Sequence, residues 1–172
     1  MPNWAKGNIR IRGKRENIIN FLKRELCMVI PNQNPKTQDE LRPVRIEAAD
    51  PSGESIWLFR DPDSQSSFYF RGSKRQFIHL DQTELEVYFS EGRNENKDTI
   101  IVFDHFVGAW DVDTETFKQM AIRNKVDIRI FVWECGLEWS MIQTFYKTGA
   151  IDTETRQYAE YLWDSPMPQL GG

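Results

Sequence analysis

Apolar and polar residues alternate in patterns that mark the first two elements of the chain. Residues 9–12 (Ile-Arg-Ile-Arg) alternate apolar with basic side chains, which predicts a half-buried strand. After Gly13 the apolar residues recur at helical spacing, which predicts an amphipathic helix. The helix is predicted to carry one apolar stripe: Ile18, Ile19, Phe21, Leu22 and Leu26. Three residues are predicted on its opposite, solvent side: Lys23, Arg24 and Glu25.

Residues 44–89 carry short apolar runs separated by turn signals, which predicts an antiparallel meander. Its clearest alternation covers residues 83–89. Three of these residues are predicted to face the core: Leu85, Val87 and Phe89. Three are predicted to face solvent: Glu84, Glu86 and Tyr88. The polar segment 90–98 is predicted to be an exposed turn.

A second strand–helix–strand pattern follows the meander. Residues 100–103 form a continuous apolar run, which predicts a central strand buried on both faces. Asp113 or Thr114 is predicted to cap a helix that ends at Asn124. Three further elements are predicted: strands over residues 126–133 and 139–146, and a short helix over residues 153–163.

This order of elements predicts an α+β fold. The expected architecture is a ferredoxin-like split βαβ antiparallel sheet with helices on one face and a β-rich central insertion. The whole chain, residues 1–172, is predicted to form a single domain. Its ferredoxin-like core comprises residues 1–30 and 99–147, the β-meander insertion residues 43–90, and the C-terminal helix and tail residues 152–172.

Charge is distributed unevenly along the chain. Residues 1–30 carry seven basic and two acidic residues, a net charge of +5, whereas the whole chain carries −4 and the remainder therefore −9. Nucleic acids and anionic membranes both require a dominant positive surface. The charge balance therefore predicts neither membrane binding nor direct nucleic-acid binding, and it favours a partner protein with a basic surface.

The cysteine content indicates the compartment. Two cysteines are too few to crosslink 172 residues, so a reducing cytoplasm is expected. No apolar run approaches the length of a membrane span, and the chain begins with a polar, basic segment rather than a signal peptide.

Two cysteines and two histidines are the candidates for metal or nucleophilic chemistry. Cys27, His79, His105 and Cys135 have the stoichiometry of a tetrahedral zinc site, but no two of them have the local spacing of a ligand pair. Zinc is therefore the alternative, and no cofactor is the expectation. For thiol catalysis, the sequence offers one combination of nucleophile, acid and base: Cys135 with Glu134 and His105. A thiol just beyond a buried strand is expected to be inert, so we predict no enzyme.

Three stretches carry a resemblance to a known family. They are Met1-Pro2-Asn3-Trp4 with the short strand that ends at Gly13, Phe106-Val107-Gly108-Ala109-Trp110, and Glu134-Cys135-Gly136-Leu137; Gly72-Ser73-Lys74 adds a turn. In these the chain resembles the YubB-type ferredoxin-like proteins of phages and plasmids. It departs from them at Ala5, Gly7 and Cys135, where that family has Cys, Asn and Pro. The resemblance implies a ferredoxin-like fold and an origin in a mobile genetic element, and it implies no catalytic residue.

The leading functional hypothesis combines this resemblance with the charge. Small acidic phage proteins without an active site are frequently inhibitors of host defence, anti-CRISPR proteins among them. We therefore expect a non-enzymatic protein in the bacterial cytoplasm that covers a basic surface of a host defence protein, such as a Cas nuclease, and blocks nucleic-acid access. The expected contacts form an acidic row with one aromatic anchor: Glu84, Glu86, Tyr88, Glu91 and Glu95.

An alternative hypothesis assigns the chain to a nucleic-acid-binding accessory protein of a mobile element. Its expected contacts are three arginines and an outward tryptophan: Arg10, Arg12, Arg129 and Trp133. Phe131 and Trp133 would face outward from their strand and provide part of a stacking platform.

Overall fold

The computed structural model describes residues 3–32, 34, 36–48, 53–73, 75–91 and 98–165. Its helices are α1 (Arg15–Glu25), α2 (Thr114–Asn124) and the one-turn α3 (Tyr161–Asp164). Its strands are β1 (Trp4–Gly13), β2 (Leu26–Ile30), β3 (Glu40–Pro43), β4 (Arg45–Ala48), β5 (Ser55–Phe59), β6 (Ser67–Phe70), β7 (Gln76–His79), β8 (Glu84–Tyr88), β9 (Ser90–Glu91), β10 (Thr99–Ala109), β11 (Asp127–Glu134), β12 (Trp139–Phe145) and β13 (Ile151–Gln157). The segments Met1-Pro2 and 166–172 and the turn residue Lys74 lie outside the described residues.

Antiparallel pairing organises the described strands into two sheets. The large sheet has ten strands, in the order β13-β12-β11-β1-β10-β7-β6-β2-β3, with β9 also paired to β10. The small sheet has three strands, in the order β4-β5-β8. The first strand of the chain therefore lies in the interior of the large sheet, between β10 and β11.

The prediction of a small ferredoxin-like sheet is wrong. A split βαβ arrangement requires β2 to lie beside β10, but β6 and β7 lie between them. Phe70 of β6 and Ile78 of β7 are almost fully buried, so this hairpin contributes core residues to the large sheet. The segment 43–90 is thus divided: β6 and β7 extend the large sheet, and β4, β5 and β8 form the small one.

The predicted helix over residues 153–163 is also wrong. Residues 151–157 form β13, which pairs with β12 from Phe145–Ile151 to Trp139–Gln157. Without β13, β12 would present a row of unpaired backbone groups at the sheet edge. Residues 151–157 pair with these groups and are therefore extended rather than helical. Up to residue 165, where the described residues end, a single helical turn, α3, follows.

Aromatic side chains connect α2 to the large sheet. Phe117 of α2 contacts the rings of Phe70, Phe106 and Phe145, with centroid distances of 5.1, 6.0 and 5.9 Å. The predicted cap of this helix is confirmed, since the Asp113 carboxylate accepts a hydrogen bond from the Thr116 backbone N–H at 3.3 Å. Aromatic contacts of this kind contribute about 0.5–1.5 kcal/mol each beyond area burial, so they fix α2 firmly on the sheet.

Glu25 is fully buried, contrary to its predicted solvent position. Its carboxylate accepts hydrogen bonds from Arg123 Nε at 2.8 Å and from Asn124 Nδ2 at 2.6 Å, and it forms an ion pair with the Arg123 guanidinium. Arg123 and Asn124 end α2, so the network ties the C-terminal ends of both long helices together. A helical pattern places a residue on a face, but only the approach of α2 shows that this face of α1 is covered.

Arg123→Ala tests the contribution of this network. The substitution removes the positive charge that offsets the cost of burying the Glu25 carboxylate. We therefore expect the free energy of unfolding to fall by about 3 kcal/mol. The measurement is chemical denaturation followed by far-UV circular dichroism. Arg24→Ala removes an exposed arginine from α1 and is expected to change stability by less than about 0.5 kcal/mol. Equal effects of the two substitutions would contradict the role of the network.

Gly7 allows β11 to approach β1 closely. A Cβ atom at position 7 would lie 1.8 Å from the backbone oxygen of Phe131. The β1–β10 register shifts at the same place, because Gly7 pairs with Phe106 and Ile9 with Phe103. The asparagine that the family resemblance expects at position 7 would therefore require a backbone displacement.

Gly7→Ala is expected to be strongly destabilising for this reason. The added methyl group meets backbone rather than a movable side chain, so we expect a loss of about 3 kcal/mol or more in the free energy of unfolding. Gly13→Ala is the matched control, since its Cβ would first meet the Val126 side chain at 3.1 Å. Thermal and chemical denaturation should show a clearly smaller loss for the control; a small loss for Gly7→Ala would contradict the constraint.

Candidate functional site

Carboxylates surround an aromatic side chain on the outer face of the small sheet. Strand register places Trp57 of β5 between Glu47 of β4 and Glu86 of β8. In the next row, Phe59 lies between Glu84 and Arg45. The Arg45 guanidinium lies over the Phe59 ring, 4.1 Å from its centroid, and forms an ion pair with Glu47 at 3.5 Å. Tyr88 is 62% exposed at the end of β8. We call the following set the acidic-aromatic face: Glu47, Trp57, Glu84, Glu86 and Tyr88.

Two hydroxyl groups hold the Glu86 carboxylate in place. Ser55 Oγ donates to Glu86 Oε1 at 2.8 Å, and the Tyr88 hydroxyl donates to Glu86 Oε2 at 2.6 Å. Each hydroxyl donates to one of the two carboxylate oxygens, and a carboxylate has about four lone-pair sites in total. The Glu86 carboxylate is therefore already oriented, and it can still accept a hydrogen bond from a charged donor.

The predicted acidic row divides in the structure. Glu84, Glu86 and Tyr88 lie together on β8, as their alternation predicts. Glu91 is exposed on β9, which belongs to the large sheet, and Glu95 lies outside the described residues.

Sequence reasoning missed two members of this face, Glu47 and Trp57. The apolar run 56–59 predicts a strand, but it does not reveal which strands flank it. Only the pairing of β5 with β4 on one side and β8 on the other brings Glu47 to Trp57.

Arginines converge on the outer face of the large sheet. Arg10 of β1 pairs directly with Arg129 of β11, and both are exposed. They line a cavity of about 220 Å³ together with Arg12, whose guanidinium donates to the Asp127 carboxylate at 2.8 Å. Arg129 donates to a neutral acceptor, the Thr144 hydroxyl, at 3.2 Å.

Trp133 lies on the outer face of β11, as the alternation predicts, but it is covered and does not offer the exposed stacking surface that the sequence predicted. The side chain is 1% exposed and forms a small cluster with Tyr158, against which Phe131 packs. The residues after β13 bring Tyr158 over this part of the sheet, where its hydroxyl hydrogen bonds to Ser140 Oγ at 2.9 Å. The three predicted arginines are therefore brought together, and the tryptophan is covered.

The two histidines lie beside an irregularity in β10. The register shift against β1 falls at Asp104 and His105. The residues on either side of them, Phe103 and Phe106, are buried. Two adjoining cavities of about 410 and 340 Å³ share His79, Asp104 and His105 as lining residues. The larger one is also lined by these residues: Trp4, Lys6, Gly7, Phe77, Phe106 and Val107.

The zinc candidates do not form a ligand cluster in the described part of the chain. Among those residues, no group of three or more His, Cys, Asp or Glu side chains could hold a metal ion. Cys27 lies on β2, where its thiol donates to the Tyr69 carbonyl at 3.5 Å, and His79 pairs with Asp81 at 3.3 Å.

Glu134, considered above as the acid of a thiol site, holds the turn that follows β11. The side chain is buried, and its carboxylate accepts hydrogen bonds from the backbone N–H groups of Gly136 at 2.8 Å and Leu137 at 2.5 Å. These bonds close the turn between β11 and β12. The Glu-Cys-Gly-Leu stretch is therefore explained by turn geometry.

Comparison with known proteins identifies no relative. No family model, curated protein or solved structure matches the chain. In the residues that the structure describes, no helix combines the length and apolar character needed to cross a membrane.

The two thiols are expected to react at different rates. Burial raises the pKa of the Cys27 thiol, with a smaller opposing effect from Arg71, whereas Cys135 is partly exposed. Because the thiolate is the reactive species, iodoacetamide at neutral pH should modify Cys135 much faster than Cys27. Mass spectrometry of peptides from timed reactions measures both rates. Denatured protein is the control, in which the rates should converge; equal rates in the folded protein would contradict this assignment.

Proposed function

We propose that this protein is a non-enzymatic binding protein whose acidic-aromatic face docks on a Lys/Arg-rich surface of a partner protein. The observation that carries the proposal is the position of Trp57 between Glu47 and Glu86 on neighbouring strands. An arginine or lysine over the indole would gain a cation–π contact and meet the Glu86 carboxylate on one side, with Glu47, which already pairs with Arg45 at 3.5 Å, on the other.

Two further features of the face support this use. The carboxylate of Glu86 is already held by Ser55 and Tyr88, so little ordering is needed when a partner binds. Tyr88 is 62% exposed beside it, and tyrosine is a residue type that commonly anchors interfaces. The net charge of −9 outside residues 1–30 would accelerate encounter with a basic surface.

The resemblance to proteins of phages and plasmids extends this proposal to a biological setting. We propose that the protein comes from a mobile genetic element and inhibits a host defence protein in the manner of an anti-CRISPR protein. It would do so by covering the basic surface that receives nucleic acid. A CRISPR–Cas nuclease has such a surface. The inhibitor needs no active site, since occupancy of the surface is sufficient.

Charge reversal on this face tests the proposal. The tagged protein and its Glu84→Lys/Glu86→Lys variant are used to capture proteins from bacterial lysates that contain CRISPR–Cas effectors, and captured proteins are identified by mass spectrometry. A partner that binds through this face should be lost with the variant. With that partner purified, we expect affinity to fall at least about tenfold, because like charges facing a basic surface cost several kcal/mol. The salt dependence of binding should weaken as well.

Matched variants separate this effect from general loss of charge or of folding. Glu138→Lys/Glu154→Lys reverses two exposed carboxylates elsewhere and should retain binding. Glu47→Lys, at an exposed position of the face, should weaken binding without disturbing the Glu86 hydrogen bonds. The proposal fails if the same proteins are captured by all variants, or if the purified partner binds the Glu84→Lys/Glu86→Lys protein as tightly as the unmodified one.

A further inference from the structure

Arg10 and Arg129 form a like-charge pair on the outer face of the large sheet. Side chains directly opposite each other in an antiparallel pair have Cβ atoms about 4.5–5.5 Å apart, where like charges are destabilising. The nearby carboxylate of Asp127 is bonded to Arg12 and also accepts the Lys147 backbone N–H at 2.9 Å. Among the described residues, neither Arg10 nor Arg129 has a carboxylate partner. A bound anion would relieve this repulsion.

The arginine pair belongs to a longer stripe along β1. Alternation places Ile9 and Ile11 in the core and every second residue on the outer face: Trp4, Lys6, Asn8, Arg10 and Arg12. At about 3.3 Å per residue, this stripe is about 26 Å long. Its basic residues are Lys6, Arg10 and Arg12, of which Arg12 is ion-paired with Asp127, and Arg129 lies beside Arg10 on the neighbouring strand.

Aromatic side chains lie at the other end of the stripe from the arginines. Trp4 and Phe77 meet edge to face, with ring centroids 5.7 Å apart, and both line the cavity of about 410 Å³. Lys6 and His105 line the same cavity, as does one carboxylate, Asp104. An apolar, aromatic wall beside basic groups matches the chemistry of a nucleobase attached to a phosphate.

We propose that this outer face of β1 and its neighbours binds a single strand of nucleic acid, with phosphates at Arg10 and Arg129 and a base in the Trp4–Phe77 cavity. Single strands fit this surface because their bases are free to stack on a sheet, whereas the bases of a duplex are already stacked on each other. The base cavity adjoins the cavity of about 340 Å³ that Glu86 and Tyr88 line, so one end of this site lies near the acidic-aromatic face, whereas Arg10 and Arg129 line a separate cavity. The site reverses the expectation from net charge, since the acidic residues lie largely elsewhere in the chain.

Oligonucleotide binding by the full chain tests this site. The probes are fluorescein-labelled oligouridine and oligothymidine of about 12 nucleotides, within the range of single-strand sites, with a mixed-sequence duplex of equal length. Fluorescence anisotropy at low salt should show binding of at least one single strand and weaker binding of the duplex. A preference for oligouridine would assign RNA as the ligand, and a preference for oligothymidine would assign DNA.

Loss of two arginines should weaken this binding in a defined way. Arg10→Gln/Arg129→Gln is expected to reduce affinity at least about tenfold and to reduce the slope of log K against log salt by about 1.4, since each single-strand phosphate contact contributes about 0.7. Lys23→Gln/Arg24→Gln removes equal charge from exposed positions of α1 and should leave both quantities nearly unchanged. The single variant Arg10→Gln, at an exposed position, should fold normally and show about half of the change in slope.

Three results would overturn the assignment. They are the absence of binding to either single strand at low salt, equal or tighter binding of the duplex, and equal losses in the β1–β11 and α1 variants. The Glu84→Lys/Glu86→Lys protein should bind the oligonucleotide at least as tightly as the unmodified protein, because the substitutions remove negative charge near the base cavity. The Arg10→Gln/Arg129→Gln protein should keep its protein partner. Failure here is therefore distinguishable from failure of the proposed function.

Discussion

Pairing of β1 on both sides is the constraint on which the rest of the molecule depends. The first strand of the chain is hydrogen-bonded to β10 along one edge and to β11 along the other. Gly7 permits the close approach of β11, because a side chain there would collide with the Phe131 backbone. With β1 in place, its alternation assigns Ile9 and Ile11 to the core and Arg10 and Arg12 to the outer face. The pairing thus positions the helices on one side and the arginines on the other.

The acidic-aromatic face and the arginine pair Arg10–Arg129 lie on different sheets of a chain that is acidic overall. Carboxylates gather around Trp57 on the small sheet, whereas arginines gather around Arg10 on the large one. Cross-strand register brings the groups together in both cases, from distant segments for Arg10 and Arg129 and from consecutive strands for Glu47 and Trp57.

Local patterns predicted most of the individual elements but not their arrangement. The bounds of α1, α2, β11 and β12 follow from apolar periodicity and from the Asp113 cap, since these signals arise within a few residues of each other. The ferredoxin-like sheet was wrong because sequence spacing does not reveal that β6 and β7 lie between β10 and β2. The terminal helix was wrong because the open edge of β12 is available only in the folded sheet. In the same way, Glu84, Glu86 and Tyr88 could be placed on one face from their alternation, whereas Glu47 and Trp57 could not.

The spacing of apolar and polar residues shows which side chains share a face of each strand or helix. This follows because the backbone alone sets the repeat, which is two residues in a strand and 3.6 residues in a helix. The excess of negative charge after residue 30 and the basic character of the first segment are equally plain from the sequence. Which of these faces meet depends on the folded chain as a whole. Folding buried Glu25 beneath Arg123, covered Trp133 with Tyr158, and set Arg10 opposite Arg129. The Glu25–Arg123 and Arg10–Arg129 contacts join segments about a hundred or more residues apart in the chain, and no local pattern of residues can reveal such pairings.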